Sequence, residues 1–226
     1  MKMKKIAACA ALMAAAGIAT PAFAGVTGNV GVFSDYVFRG LTQTGGGASV
    51  QGGVDYSHAS GLYAGTWISN LNTGTASYET DFYGGYAGKV GDFGFDIGVI
   101  DYYYRGAPGT NTIEFYAGGS FAGLSAKLFY TDDYASGGAV AAPNEDAFYL
   151  TGNYPIALTK SVTVTPAVGY SFGKAYDSTK EVLDYSITVS KALSEGFTFS
   201  LGLTGTDRDG GNDETLVLGL KKNFDL

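Results

Sequence analysis

Apolar residues recur at every second position along most of this chain. Phe197, Phe199, Leu201 and Leu203 alternate with Thr198, Ser200, Gly202 and Thr204. A period of two belongs to an extended strand with two unlike faces. The pattern halts at turn residues and resumes. It predicts twelve strands, over 26–37, 48–58, 62–70, 77–88, 92–104, 111–120, 124–131, 146–155, 161–173, 181–190, 197–206 and 213–224. Most have the length that crosses a hydrocarbon layer at a tilt.

The connections alternate too. Short ones fall at 59–61, 89–91, 121–123, 156–160 and 191–196, and longer or more polar ones at 39–47, 71–76, 105–110, 132–145, 174–180 and 207–212. An even-stranded barrel with both chain ends on the short-turn side explains that order, with the short turns in the periplasm and the long loops outside. The longest loop, 131–146, carries Pro143 among alanines and glycines. It either folds into the pore or forms a mobile rim.

Parity assigns the faces. Val30, Val32, Tyr36 and Phe38 face lipid on the first strand, opposite Asn29, Asp35 and Arg39. Phe82 and Tyr86 face out on the fourth, with Glu79 and Asp81 inward. Ile113 and Phe115 oppose Glu114, and Leu124, Ala126 and Leu128 oppose Lys127. Val162, Val164, Val168 and Tyr170 oppose Thr163, Thr165, Gly169 and Ser171. Pro166 interrupts that apolar face and lacks a ladder donor, which predicts a bulge. Lys222 shares the outward face of the last strand, near enough to its end to reach the interface.

Composition narrows the class. Lys2, Lys4 and Lys5 precede an apolar run to Ala19, and Ala22-Phe23-Ala24 fits a signal peptidase site. Residues 1–24 therefore read as a signal peptide and 25–226 as one barrel domain. Cleavage removes the only cysteine, Cys9, and with it disulfides and thiolate ligands. Loss of three lysines takes the formal charge from −7 to −10, so nucleic acid is no partner. Glycine is abundant at 35 residues, and tyrosine at 17 and phenylalanine at 14 outnumber the single tryptophan. Glycine allows close strand approach, and amphipathic rings suit a membrane interface. No stretch after the leader is long enough for a membrane helix, which leaves a closed barrel as the way to span a bilayer. A soluble sandwich also alternates, but its wet face would carry more charge than these glycine-, serine- and threonine-rich faces do. The fold class is all-β, a transmembrane antiparallel β-barrel of twelve strands.

Inward charges are the candidate chemistry. Asp35, Arg39, Glu79, Asp81, Glu114 and Lys127 either pair across the lumen or line a path for ions. The excess of Glu79, Asp81 and Glu114 over Lys127 gives a weak cation preference. Tyr63, Trp67 and Tyr83 also point inward, where rings stack on a sugar or aromatic solute or fill space. His58, the only histidine, lies beside Ser57 and Ser60 at a short turn and reads as interfacial. Asp207, Asp209, Asp213 and Glu214 could touch a metal ion but match no calcium-loop pattern. No nucleophile elbow, phosphate loop or histidine metal motif occurs, so the chain reads as a non-enzyme without a cofactor.

Several segments resemble a known family. Ser34-Asp35-Tyr36-Val37-Phe38-Arg39-Gly40-Leu41-Thr42-Gln43 is similar to the opening signature of the TorF-type porins of proteobacterial outer membranes. Residues 51–56, 61–67 and 79–86, with the spacing to Asp101-Tyr102-Tyr103-Tyr104 and Glu114-Phe115-Tyr116, extend the resemblance. It is specific mainly over 34–116. It implies an exported porin in the outer membrane of a Gram-negative bacterium and names no solute. The family has a proline soon after the fifth-strand tyrosines; here Arg105-Gly106 intervene before Pro108, which implies a different loop. The sequence thus predicts a monomeric barrel passing small polar solutes or ions. Its partners would be outer-membrane lipid, lipopolysaccharide and the barrel-assembly machinery. The alternative is a non-conducting structural or surface-interaction barrel acting through its outer loops.

Overall fold

The computed structural model describes residues 24–226 apart from 75, 108–109, 136–140, 143–144, 177–179 and 209–213. Residues 1–23, with Cys9 and nearly all of the expected signal peptide, and Pro108, Pro143, Asp209 and Asp213 lie outside the described residues.

Twelve long strands form: β1 (Gly25–Phe33), β2 (Ser49–Ser57), β3 (Leu62–Asn70), β4 (Tyr78–Val90), β5 (Phe93–Arg105), β6 (Thr112–Phe121), β7 (Leu124–Thr131), β8 (Ala147–Asn153), β9 (Val162–Phe172), β10 (Val182–Ala192), β11 (Phe197–Thr206) and β12 (Thr215–Asp225). Each pairs antiparallel with the next, and β1 pairs with β12 from Thr27↔Asp225 to Phe33↔Gly219. The ring is closed, so no long strand leaves an edge unpaired. The start of β1 and the end of β12 lie with the connections 58–61, 91–92, 122–123, 154–161 and 193–196, at the short-turn end. The remaining connections gather at the opposite, long-loop end.

Alternation places the apolar residues on the outside. Val30, Val32, Phe82, Ile97, Ile113, Phe115, Leu128 and Leu216 are all exposed there, whereas a water-soluble sheet would hide that face. The inward residues are mostly glycine, serine, threonine and tyrosine, with a minority of charges and a few apolar side chains such as Phe33, Trp67 and Val217. Lys222 sits outward at the short-turn end, over the Phe197 ring at 4.6 Å, and donates to the Glu195 carbonyl.

Two expectations fail. Pro166 makes no bulge: β9 pairs with β10 without a skip from Val162↔Lys191 to Ser171↔Val182. The Pro166 carbonyl accepts the Tyr154 amide at 3.1 Å, between the pairs Asn153↔Ala167 and Ile156↔Val164, which keep one register. The missing donor costs one ladder bond without adding a residue to the strand. Tyr36 and Phe38 do not face lipid. β1 ends at Phe33, and Tyr36 is 2% exposed inside the barrel.

Candidate functional site

β1 stops because the chain turns inward. Ser34 stays joined to the wall: its amide donates to the Leu218 carbonyl at 2.8 Å, and the Leu218 amide donates to Ser34 Oγ at 2.9 Å. Residues 35–44 then form a hairpin in which Val37 pairs with Thr42 and Phe38 with Leu41. Arg39 (φ 48°) and Gly40 (φ 77°) make its tip. Positive φ at both central positions defines a two-residue type I′ turn. Glycine adopts it freely, but for arginine it costs energy that the surroundings must offset.

The hairpin stitches itself together. Asp35 Oδ1 accepts the hydroxyls of Thr42 and Thr44, each at 2.6 Å, and Thr44 Oγ1 accepts the Tyr36 amide at 3.0 Å. The Gln43 amide donates to the Tyr36 carbonyl at 2.6 Å, and the Asn72 amide donates to the Gln43 carbonyl at 2.8 Å.

The barrel wall supplies a dock. Tyr36 packs edge-on against Trp67 of β3, centroids 5.3 Å apart, and donates to Glu79 of β4 at 3.3 Å. Phe38 meets Tyr102 of β5 edge-on at 5.8 Å. Arg39 donates to Glu114 of β6 at 2.6 Å, and its guanidinium lies 4.1 Å from the ring centre of Tyr149 of β8. On the far side, a Cβ at Gly40 would stand 2.6 Å from Thr206 Cβ and 3.0 Å from Asp184 Cβ. Val37 packs with Phe33 and with Val217 of β12. The hairpin therefore spans the lumen, and inward side chains from Ser49 and Ser69 round to Thr131, Ser171 and Val182 are buried. Asp81 is fully buried, and among the described residues neither of its carboxylate oxygens has a hydrogen-bond partner.

The short-turn half is different. Inward Asn29, Asp55, Thr165, Ser186, Thr188 and Ser200 are half-exposed. One side of this chamber carries a tyrosine–carboxylate network. Tyr83 donates to Asp55 at 2.5 Å, Tyr63 donates to Asp96 at 2.5 Å, and the hydroxyls of Tyr63 and Tyr116 are 2.5 Å apart. Lys127 completes it with an ion pair to Asp96 at 2.7 Å.

A repeated geometry recurs around the barrel, twice in this network and once beside the hairpin tip. Each tyrosine ring crosses a glycine on the adjacent strand and reaches a carboxylate on the strand beyond. Tyr83 of β4 crosses Gly65 of β3 to Asp55 of β2. Tyr63 of β3 crosses Gly85 of β4 to Asp96 of β5. Tyr149 of β8 crosses Gly169 of β9 to Asp184 of β10. A Cβ at Gly65 would lie 2.6 Å from Tyr83 Cε2 and Cζ, so the ring occupies the space a side chain would take. Covering a strand glycine with a ring restores the packing that the glycine lacks.

Residues 15–220 match the model of a bacterial protein family of unknown function, Gcw_chp. The chain belongs to the Gcw_chp family. No curated protein matches its sequence. Its structure is similar to the KdgM porin, with a TM-score of 0.60 at 13% identity, covering 88% of this chain and 99% of that one. A KdgM porin in complex with disordered oligogalacturonate gives 0.58 at 13% identity, covering 88% and 98%. The NanC porin gives 0.58 at 10% identity, covering 89% and 100%. At such identities the likeness is one of fold.

In this Gcw_chp chain the residues singled out from the sequence separate by height. Asp35, Arg39, Trp67, Glu79, Asp81 and Glu114 belong to the hairpin and its dock. Tyr63, Tyr83 and Lys127 belong to the short-turn network. Asp207 is held by the Leu183 amide at 2.7 Å and by Lys180 at 3.0 Å, as the cap of a loop. His58 Nδ1 lies 2.8 Å from Ser60 Oγ and accepts the Ser60 amide at 3.2 Å, closing its own turn. Asp55, Asp96, Tyr149 and Asp184 were missed. Asp55 and Asp96 sit at inward parity and were open to the same alternation argument.

Proposed function

We propose that the protein is an outer-membrane channel of porin type that passes small polar solutes, with residues 1–24 as its export leader and the 35–44 hairpin as its constriction. One observation carries the reading: a closed ring shows apolar residues outward along every strand and polar residues inward. Only a lipid surround makes that arrangement favourable. The porin fold and the TorF-type resemblance over 34–116 support it. By the same reading, lipid and lipopolysaccharide surround the barrel, the short turns face the periplasm, and barrel-assembly machinery inserts it.

The charges that motivated a cation preference lie in the dock. Glu114 is paired with Arg39, and Glu79 accepts from Tyr36. The proposed channel draws no ion preference from them. The oligogalacturonate held by one KdgM structure is not carried over either. In the short-turn half Lys127 is paired with Asp96 and Asp55 adds a further carboxylate, which leaves no positive surplus there to hold a polyanion.

A second reading, a non-conducting barrel, is favoured by the packed long-loop half. Planar-bilayer recordings separate the two. Wild-type protein is compared with a variant whose residues 36–43 are replaced by a short glycine–serine link. The channel reading expects larger unitary conductance once the hairpin is gone. Correctly folded protein that stays silent in both forms selects the non-conducting barrel.

A further inference from the structure

We propose that the short-turn half of the lumen is a binding site for a short, uncharged sugar, seated on Tyr63 and Tyr83 with its hydroxyls donating to Asp55. The inference rests on the channel reading and deepens it by naming a solute class.

Three features point to this ligand. The first is a pinned aromatic surface. Tyr83 is fixed across Gly65 by Asp55, and Tyr63 across Gly85 by Asp96, yet both rings remain half-exposed. Rings held in place lose little entropy when a sugar stacks on them. The second is polarity with little net charge. Asp96 is neutralised by Lys127 at 2.7 Å, which leaves Asp55 as the carboxylate open to the chamber. A neutral polyol crosses such a chamber without the desolvation cost that an ion meets. Among the described residues no ion pair engages Asp55, whose Oδ1 accepts only a tyrosine hydroxyl. A carboxylate so placed accepts further hydroxyl donors. The third is the opposite wall. Thr165, Thr188 and Ser200 are small and half-exposed there, and their hydroxyls are available to a solute.

The hairpin does not compete for this space. Its contacts are with the long-loop half, where Trp67, Tyr102 and Glu114 hold it. The chamber thus lies on the short-turn side of the hairpin. Binding there needs no conduction.

The test uses full-length protein in nanodiscs and ligand-observed saturation-transfer NMR. Maltotriose is the neutral probe, with trigalacturonate and glucosamine as acidic and cationic comparators. Maltotriose should give the strongest transfer. Asp55→Asn combined with Tyr83→Phe should weaken it about tenfold. Ser200→Trp, which fills the opposite side without touching the tyrosine network, should abolish it while leaving the heat-modified gel mobility of the folded barrel unchanged. Stronger transfer to either charged comparator, or maltotriose transfer unaltered by Ser200→Trp, overturns the proposal. Swelling of proteoliposomes in maltotriose is measured beside it. Passage without saturable binding defeats the site and spares the channel. Binding without passage, in wild type and in the hairpin-replaced variant alike, defeats the channel and spares the site.

Discussion

Arg39 reaches Glu114 across the lumen at 2.6 Å, with the two side chains 10% and 5% exposed. The pair joins a hairpin tip to the wall of a barrel. Its arginine is also held at positive φ and stacked over Tyr149. A buried ion pair adds little net stability over an apolar pair of the same shape, but breaking it by removing one partner costs about 3–5 kcal/mol. Arg39→Ala leaves Glu114 charged in a dry pocket. The hairpin is the cheaper element to give way, because hydration of Glu114 requires only that the tip leave its seat. Amide exchange at Gln43, whose N–H bonds the Tyr36 carbonyl, should quicken, with β4 and β5 unaffected. The double variant Arg39→Met/Glu114→Met should restore slow exchange at Gln43.

The crossing of tyrosine over glycine gives a second prediction. Gly65 lies in a strand, and the three atoms nearest to a Cβ built there all belong to Tyr83. Gly65→Ala forces that ring away from Asp55. The cost combines overpacking, about 1–3 kcal/mol, with a lost hydroxyl–carboxylate bond. Equilibrium urea unfolding in detergent should show it. Gly25→Ala, at a glycine with nothing within 4 Å, should leave the unfolding midpoint unchanged.

These features mark how far the sequence could be read. Period-two alternation placed all twelve strands because lipid outside and polar groups inside leave every residue a binary choice. The same alternation misled at Tyr36 and Phe38, which keep the apolar parity of Val30 and Val32. Parity cannot distinguish a wall from a hairpin that leaves it. The departure is driven by Ser34, which satisfies Leu218 while the chain turns, and by Arg39-Gly40, whose left-handed turn looks from sequence like a strand end. Asp35, Arg39, Glu79, Asp81 and Glu114 are legible as inward charges able to pair across the lumen, but which of them meet is not. Their meeting across the lumen depends on closure of the ring. The tyrosine–glycine–carboxylate crossings were illegible for a related reason. Tyr83, Gly65 and Asp55 sit on three strands and meet only once register is fixed.

Loop 207–214 supplies a pH prediction. The Leu183 amide foremost, and Lys180 after it, hold the Asp207 carboxyl below the ordinary carboxylate value. A lowered folded pKa means that the unfolded chain binds more protons in that window, so stability rises with pH there. The contribution is whole above the unfolded value of about 3.9 and disappears as pH falls through the lower folded value. Hydrogen exchange at the Leu183 amide should therefore be slow at pH 5, and its protection should fall below pH 4. Added salt should reduce the Lys180 share, since both side chains are largely exposed.

The seat of the hairpin tip is tested most directly at Gly40. Its φ of 77° suits glycine, and a Cβ would meet Thr206 Cβ at 2.6 Å and Asp184 Cβ at 3.0 Å. Gly40→Ala therefore acts twice, through backbone strain of about 1 kcal/mol and through a clash with the far wall. Gly74 separates the two effects: its φ is 88°, with nothing within 4 Å of a built Cβ. Gly74→Ala carries the strain without the clash and should leave conductance as in wild type. Gly40→Ala should lift the tip from Thr206 and Asp184 and raise unitary conductance in planar bilayers, with more frequent open events. Conductance equal in the two variants would mean that the tip's contact with β10 and β11 does not set the width of the path. The constriction would then have to be sought on the other side of the hairpin, where Tyr36 and Arg39 meet Glu79 and Glu114.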